Sequence, residues 1–386
     1  AEIPDLHVIF GSCPGVADDY LDSMVWIDDL LTDNPAYSYK EANKRPHQLF
    51  LGGDQIYADD VDRCHLHMLI DLSKRLIGEK PHGPGATVGD AQEHLPVDNI
   101  RKKRVANPLT FDDDYGENIT RASPGANPDD FLLPADHQCF PAGRRLLQSV
   151  VDAQMTSVDG KSHLFAFGEF AAMYLSVWSN AVWTPLRDPA IPGVLDLPTP
   201  EGVMEKYVWP DIISTYVGCP IDVKENRDAD FPTDSDAVKE QKDASPFRYG
   251  KYLDYEDPGE GNYRNEKGEE ITAPQHFEQH LVDFKKSLQQ ERARLTLFHD
   301  GLAKVRRAMA NIPTYMIFDD HDFTDDWNLN PMWYDRVYST SLGVTSARNA
   351  LTSYTLFQDW GNDPIKYEKR DDYVKLLATI AALFPT

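Results

Sequence analysis

Acidic residues crowd into one short stretch late in the chain. Residues 319–326 read Asp-Asp-His-Asp-Phe-Thr-Asp-Asp, which places five aspartates and one histidine within eight residues. Carboxylates packed this closely repel one another and shift each other's pKa unless a cation neutralises them. A solvated acidic loop is the alternative, but such a loop calls for neither His321 nor the apolar residues that precede it. We therefore expect a metal or catalytic site at Asp319, Asp320 and His321.

A second group of chemically useful residues follows the apolar run at 48–51. The sequence continues Gly52-Gly53-Asp54-Gln55-Ile56-Tyr57. Two glycines permit a tight backbone turn, and a carboxylate placed directly after such a turn suits a metal-bridging ligand. Tyr57, three residues later, could turn back to the same ion. The alternative is that Asp54 only caps the helix that follows.

Cys13 comes at the end of the first apolar run, in Gly11-Ser12-Cys13-Pro14-Gly15. A single cysteine is more often a small buried hydrophobic residue than a ligand. Its position after a predicted strand, matching the position of Asp54, is what favours a ligand. Beside a cation its thiolate form would be stabilised.

Each of these groups ends an apolar run, at 7–13, 48–54 and 314–320. Such runs, stopped by small or polar residues, predict buried strands. Strands that all deliver polar residues at their carboxyl ends indicate an open α/β sheet, in which ligands bind at those ends. Apolar spacing predicts helices at 61–77, 164–178, 275–311, 346–360 and 372–384. The apolar stripe of 275–311, interrupted at Glu291, predicts packing against the sheet rather than a coiled-coil partner.

Two regions, 79–145 and 188–274, read as loop-rich insertions because Pro, Gly, Asp and Asn are frequent in them and periodicity is weak. No long linker or internal repeat divides the chain. We therefore interpret residues 1–386 as one domain that carries both insertions.

The chain has 386 residues and a formal charge of −25. Such a surface repels nucleic-acid backbones and anionic membranes, so neither is expected as a partner. A bound multivalent cation would reverse the sign locally, and the charge therefore does not exclude a phosphate site. The most apolar stretch, 164–178, is shorter than the roughly 20 residues that a bilayer span needs.

Taken together, the motifs resemble the PhoD-like family of alkaline phosphatases and phosphodiesterases, a branch of the calcineurin-like metallophosphoesterases. The family's Ser-Cys motif is matched by Ser12-Cys13, and its Gly-Asp-x-x-Tyr motif by Gly53-Asp54-Gln55-Ile56-Tyr57. Its Asp-Asp-His-Glu motif is matched by Asp319-Asp320-His321-Asp322, with Asp in place of Glu.

The resemblance implies a layered α/β sandwich of two β-sheets flanked by helices. It implies hydrolysis of phosphate mono- or diesters by a metal-activated hydroxide, at a site of Fe³⁺ and Ca²⁺ or another divalent pair such as Zn²⁺ or Mn²⁺. Cys13 and Tyr57 would bind iron, Asp54 would bridge the ions, and Asp319 and Asp320 would complete the ligands. His321 would contact phosphate or protonate the leaving group.

The chain departs from the family in one respect. The family's closing Gly-Asp-x-His motif, which supplies further metal ligands, is absent. The resemblance therefore implies a fold that is incomplete at its C-terminal side. The rival interpretation is a non-catalytic calcium-binding or interaction module. Cys13 and Tyr57 argue against that rival, because a pure calcium site takes oxygen ligands and has no use for a thiolate.

Overall fold

The computed structural model describes residues 6–16, 22–31, 45–77, 93–97, 131–135, 140, 142–143, 145, 147–157, 160–183, 263–264, 267–271 and 273–381. The β-strands are β1 (Val8–Gly11), β2 (Gln48–Leu51), β3 (His94–Val97), β4 (Phe131–Pro134), β5 (Tyr263–Arg264), β6 (Glu270–Ile271) and β7 (Thr314–Met316). The α-helices are α1 (Met24–Asp29), α2 (Arg63–Ile77), α3 (Phe167–Trp178), α4 (Ala273–Asn311), α5 (Pro331–Val337), α6 (Ser341–Tyr354), α7 (Trp360–Asn362), α8 (Pro364–Lys369) and α9 (Asp371–Ala381).

The three strands predicted from apolar runs form one parallel sheet in the order β1-β2-β7. Gly11 lies opposite Leu51, and Leu51 lies opposite Met316, so the three strands stop in the same row. Their carboxyl ends therefore meet at one edge of the sheet, which confirms the prediction that these runs are strands that deliver polar residues at their carboxyl ends. The loops that leave this edge carry Cys13, Asp54 and Asp319.

The two faces of this sheet differ. On one face, Leu49, Leu51 and Met316 pack against apolar side chains of α1 and α4 in a buried cluster. On the other face, Phe10, Phe50 and Tyr315 lie in one cross-strand row, and the Phe50 and Tyr315 rings stack with centroids 5.2 Å apart. Phe10 is 75% exposed.

Among the described residues, the apolar stripe of α4 packs against the sheet only near the C-terminal end of the helix, where Val305 and Ala308 join the buried cluster that holds the strand residues. Leu288, Leu295 and Leu302, spaced seven residues apart, are buried in the main hydrophobic cluster. Glu291, which interrupts the stripe in the sequence, is also buried. Its carboxylate accepts hydrogen bonds from Arg63 Nε at 2.6 Å and from the backbone N–H of Cys64 at 3.2 Å. The interruption is therefore the ion-pair contact between α4 and α2.

Two of the predicted helices begin three or more residues away from their predicted starts. The run at 164–178 becomes helical only at Phe167, because the Glu169 carboxylate accepts the backbone N–H groups of Phe165 and Ala166 in extended geometry. Helix α6 begins at Ser341 rather than at residue 346. Its N-cap is Thr340, whose hydroxyl accepts the N–H of Gly343 at 3.0 Å.

The two predicted insertions lie largely outside the described residues. Within them, β3 pairs with β4 and β5 pairs with β6, both in antiparallel register. The described residues thus form one parallel sheet and two short antiparallel pairs, and the layered two-sheet sandwich stays a prediction. Across the described ranges, every helix is too short or too polar to cross a membrane.

Candidate metal centre

Ligand atoms from three loops converge at the carboxyl edge of the parallel sheet. One carboxylate oxygen each from Asp54, Asp319 and Asp320 lie within 4.8 Å of one another. The thiol of Cys13 donates a hydrogen bond to Asp54 Oδ2 at 3.2 Å. Four of the residues singled out in the sequence, separated by up to about 300 positions in the chain, therefore share one site.

The backbone is strained at three of the predicted ligands. Cys13, Asp54 and Tyr57 have φ angles of 55°, 53° and 38°. Residues other than glycine rarely enter this left-handed region, and a bulky residue such as tyrosine does so least readily. Such strain persists where the surrounding structure enforces it, and it is typical of ligand-binding and catalytic positions.

The position before Asp54 requires a glycine, Gly53, because of its backbone conformation and its close approach to Asp319. Its φ is 121°, and a Cβ at this position would lie 2.5 Å from the Cβ of Asp319. Any side chain would push the Asp319 loop away from the Asp54 loop. The neighbouring loop from β1 is joined at the same point, because Cys13 N–H donates to the carbonyl of Gly53 at 3.2 Å.

The surroundings of Asp54 disfavour the charged form of its carboxyl group. Desolvation raises the pKa of its carboxyl group, and Asp320 and Asp319 raise it further against the opposing effects of Cys13 and His321. Its Oδ1 atom is buried, and within the described part of the chain it has no hydrogen-bond partner. A buried oxygen without a donor is costly, and a bound cation would satisfy it. The residues present therefore fit a metal ion.

His321 is held beside this cluster by a carboxylate that sequence reasoning missed. Its Nδ1 lies 3.0 and 3.1 Å from the two oxygens of Asp59, which is buried. This hydrogen bond, against the effect of desolvation, raises the pKa of His321 to about 9. The backbone N–H of Asp325 also donates to Asp59, at 2.9 Å. The sequence signal for Asp59 was its place in the Asp-Asp pair two residues after Tyr57.

Tyr57 is tied to the site through the same histidine. Its ring stacks on the imidazole of His321 with centroids 4.9 Å apart and an interplanar angle of 25°. The backbone N–H of Ala58, the next residue, donates to the carbonyl of His321 at 2.7 Å. Tyr57 therefore lies on the His321 side of the centre, whereas Cys13 contacts Asp54.

A second group of possible ligand atoms adjoins the first. One atom each from Asp320, His321 and Asp325 lie within 4.8 Å of one another, so Asp320 belongs to both groups. Desolvation and Asp326 raise the pKa of Asp325. A hydrogen bond also holds the Asp325 backbone, because the Thr156 hydroxyl donates to the carbonyl of Asp325 at 2.6 Å.

The cluster includes one aspartate that faces the protein interior. Asp322 is fully buried and accepts three backbone N–H hydrogen bonds. Desolvation raises its pKa to about 7, and the hydrogen bonds oppose that shift. Its oxygens are occupied, so we do not count Asp322 among the metal ligands.

The donor set limits the kind of metal. A thiol beside carboxylates fits iron or zinc, whereas oxygen donors alone fit calcium or magnesium. Cys13 with Asp54 supplies the first kind of donor set, and Asp54, Asp319 and Asp320 supply the second. The adjoining group adds the imidazole nitrogen of His321 to the carboxylates of Asp320 and Asp325. No family model, curated protein or solved structure matches this chain. The resemblance to the PhoD-like family therefore stays a prediction, and the case for a function rests on the geometry of the site itself.

Proposed function

We propose that the chain hydrolyses phosphate mono- or diesters at a metal site held by Cys13, Asp54, Tyr57, Asp319 and Asp320. The observation that carries this proposal is the buried Oδ1 of Asp54, which has no hydrogen-bond partner among the described residues and lies among other possible ligands, beside a histidine held by a carboxylate. When bound, such cations supply Lewis-acid chemistry: they neutralise the charge of phosphoryl oxygens and acidify water.

The acidic cluster makes the cation a requirement of this function. Asp54, Asp319 and Asp320 would repel a phosphate in the absence of a metal, as would a chain whose formal charge is −25. With metal bound, the sign of the local field is reversed. Phosphate affinity should therefore depend on metal loading.

His321 is suited to the transfer of a proton. Asp59 occupies Nδ1 and stabilises the protonated ring, so Nε2 is the nitrogen that can donate a proton to the leaving-group oxygen. The ring of Tyr57, stacked on the imidazole, fixes its plane. Asp59 and Tyr57 thus orient the histidine, and neither needs to touch the substrate to do so.

The test is hydrolysis of bis(p-nitrophenyl) phosphate and p-nitrophenyl phosphate after loading with Fe³⁺ plus Ca²⁺, Zn²⁺ or Mn²⁺. We expect metal-dependent release of nitrophenol by the wild-type chain. His321→Ala should lower kcat by about 10²–10⁴-fold, the usual contribution of a positioned acid. Asp300→Asn should leave the rate unchanged, because Asp300 is an exposed carboxylate on α4.

The outcome also separates this proposal from its rival. Metal binding without hydrolysis of either ester, under any of the metal conditions, would reject the catalytic proposal and support a calcium-binding or interaction module. Hydrolysis that is equally fast in His321→Ala would retain the enzyme but remove the role given to His321.

A further inference from the structure

The carboxylate of Asp322 joins the two loops that carry most of the candidate ligands. Its Oδ1 accepts the backbone N–H of Gln55 at 2.7 Å and that of Ile56 at 3.1 Å. Its Oδ2 accepts the backbone N–H of Asp319 at 3.1 Å. Gln55 and Ile56 directly follow Asp54, so one side chain binds the backbone beside Asp54 and the backbone of Asp319.

A local capping role explains only one of these two oxygens. Asp319 is the N-cap of the 3₁₀ turn Asp320–Asp322, and the hydrogen bond from Asp319 N–H to Asp322 belongs to that capping arrangement. The Oδ1 bonds instead cross to a loop more than 260 residues away in sequence. Asp322 is fully buried, whereas a residue that only capped this turn could face solvent.

The crossing bonds reach the strained part of the Asp54 loop. Gln55 and Ile56 lie between Asp54 and Tyr57, which both have positive φ angles. Residues hold such conformations only where contacts enforce them. The two N–H groups that Asp322 binds are therefore well placed to keep Asp54 turned towards Asp319.

We propose that Asp322 is a positioning residue that sets the separation of the Asp54 loop and the Asp319–Asp320 loop and thereby permits metal binding. This inference rests on the proposed function for its metal site but not for hydrolysis. Asp322 itself contacts neither metal nor substrate. Its two oxygens act as a hydrogen-bonded bridge between the loops.

Asparagine at this position tests the bridge because it offers one acceptor oxygen instead of two. If that oxygen serves Gln55 and Ile56, the amide NH₂ faces the N–H of Asp319, and two donors oppose each other. If the amide is turned the other way, its NH₂ group faces the N–H groups of Gln55 and Ile56 instead, and donors again oppose each other. Asp322→Asn can therefore satisfy only one loop, whereas Asp322→Glu retains both oxygens.

The control is a second fully buried aspartate that lies away from the site. Asp28 on α1 accepts a hydrogen bond from Arg307 Nε at 2.6 Å and is 0% exposed, as is Asp322. Asp28→Asn removes a buried charge by the same chemical change but leaves the ligand loops intact. It should lower stability without changing metal affinity.

The experiment titrates Zn²⁺ and Ca²⁺, each alone, into the wild-type chain and the three variants by calorimetry. Thermal unfolding without metal and hydrolysis of bis(p-nitrophenyl) phosphate are measured on the same samples. We expect Asp322→Asn to bind metal about 10–100-fold more weakly, the range for residues that orient ligands. Asp322→Glu should recover most of that affinity, and Asp28→Asn should match the wild type.

Equal metal affinity in the wild type and Asp322→Asn would overturn the inference and leave the proposed function standing. A weakened Asp322→Asn together with a wild-type chain that binds metal but hydrolyses nothing would support the inference and reject the proposed function. If Asp322→Asn does not unfold cooperatively, Asp322→Glu carries the test. Metal affinity close to that of the wild type supports the inference, and undetectable metal binding by Asp322→Glu overturns it. A wild-type chain that binds neither ion would overturn it as well.

Discussion

Two groups of charged residues in this molecule are held in opposite ways. Arg145 and Glu169 are buried, and they form two hydrogen bonds, of 2.8 and 2.7 Å. Arg145 also donates to the carbonyls of Phe140 and His163, so that its whole guanidinium group is satisfied. The carboxylates at the sheet edge take their hydrogen bonds from a thiol and from backbone amides instead.

The difference separates the Arg145–Glu169 ion pair, which stabilises the fold, from the carboxylates at the sheet edge, which we propose bind a cation. A buried ion pair with every hydrogen bond made is complete without any further partner. The proposed metal site is a cluster of like charges with a buried oxygen that has no hydrogen-bond partner among the described residues, and a bound cation would satisfy it. The first kind should control stability, and the second should control binding.

The largest expected effect is at the complete pair. Arg145→Met leaves the Glu169 carboxylate buried and unpaired, and it should lower the free energy of unfolding by about 3–5 kcal/mol. Chemical denaturation measures this loss. Arg370→Met, which breaks an ion pair whose two side chains are both exposed, should leave the unfolding midpoint in place. Equal effects of the two variants would contradict the distinction.

A smaller effect is expected at Glu93, a partly buried carboxylate at the start of α3. It accepts the N–H groups of Phe167 and Gly168 at the start of α3, and burial raises its pKa from 4.5 to about 7. Between about pH 4.5 and pH 7, the Glu93 carboxyl group therefore holds a proton in the folded state that it has lost in the unfolded state. Stability from this group is present below about pH 4.5 and falls as pH rises through 7.

Glu93→Gln should remove this dependence, because glutamine does not titrate. Between pH 5 and pH 8 we expect the wild type to lose on the order of 1–3 kcal/mol more than the variant. Denaturation curves at the two pH values measure the difference. If the wild type and the variant differ equally at both pH values, Glu93 does not contribute in this way.

The smallest effect on stability is expected at Asp54, although its effect on binding should be large. Without metal, Asp54→Asn removes a charge that Asp319 and Asp320 repel, and asparagine tolerates the left-handed backbone found here. We expect the unfolding free energy to stay within about 0.5 kcal/mol of the wild type or to rise. A large loss of metal-free stability would show that Asp54 supports the fold rather than a ligand.

The sequence predicted the elements that depend on local pattern. Apolar runs located the three strands of the parallel sheet, and because polar residues followed each run, they also predicted that Cys13, Asp54, Tyr57 and Asp320 would converge. Cys13 and Asp320 do lie at Asp54, whereas Tyr57 stacks on His321. Apolar spacing located α4 and its buried face. These signals lie within a few residues of one another, so a single sequence is enough to show them.

The rest could not be predicted because it depends on pairs that are distant in the chain. Asp59 and His321 are 262 positions apart, and no local pattern joins them. Arg145 lies in a region predicted to be a loop-rich insertion from its Pro, Gly, Asp and Asn content, and no local pattern pairs it with Glu169, 24 positions later. Asp322 belongs to a cluster whose members look alike in sequence. Only the fold shows which of its oxygens face the interior.

The central claim is that the carboxyl edge of the parallel sheet binds a metal through Cys13 and Asp54. Its most direct test is metal affinity, measured by calorimetry with Zn²⁺ for the wild type, Asp54→Asn, Cys13→Ser and the exposed control Asp300→Asn. We predict that at least one Zn²⁺ ion binds strongly to the wild type and to Asp300→Asn. We predict affinity at least about 100-fold lower in Asp54→Asn, since residues that only orient ligands already account for about 10–100-fold. Undetectable binding to the wild type, or equal binding to all four proteins, would contradict the claim.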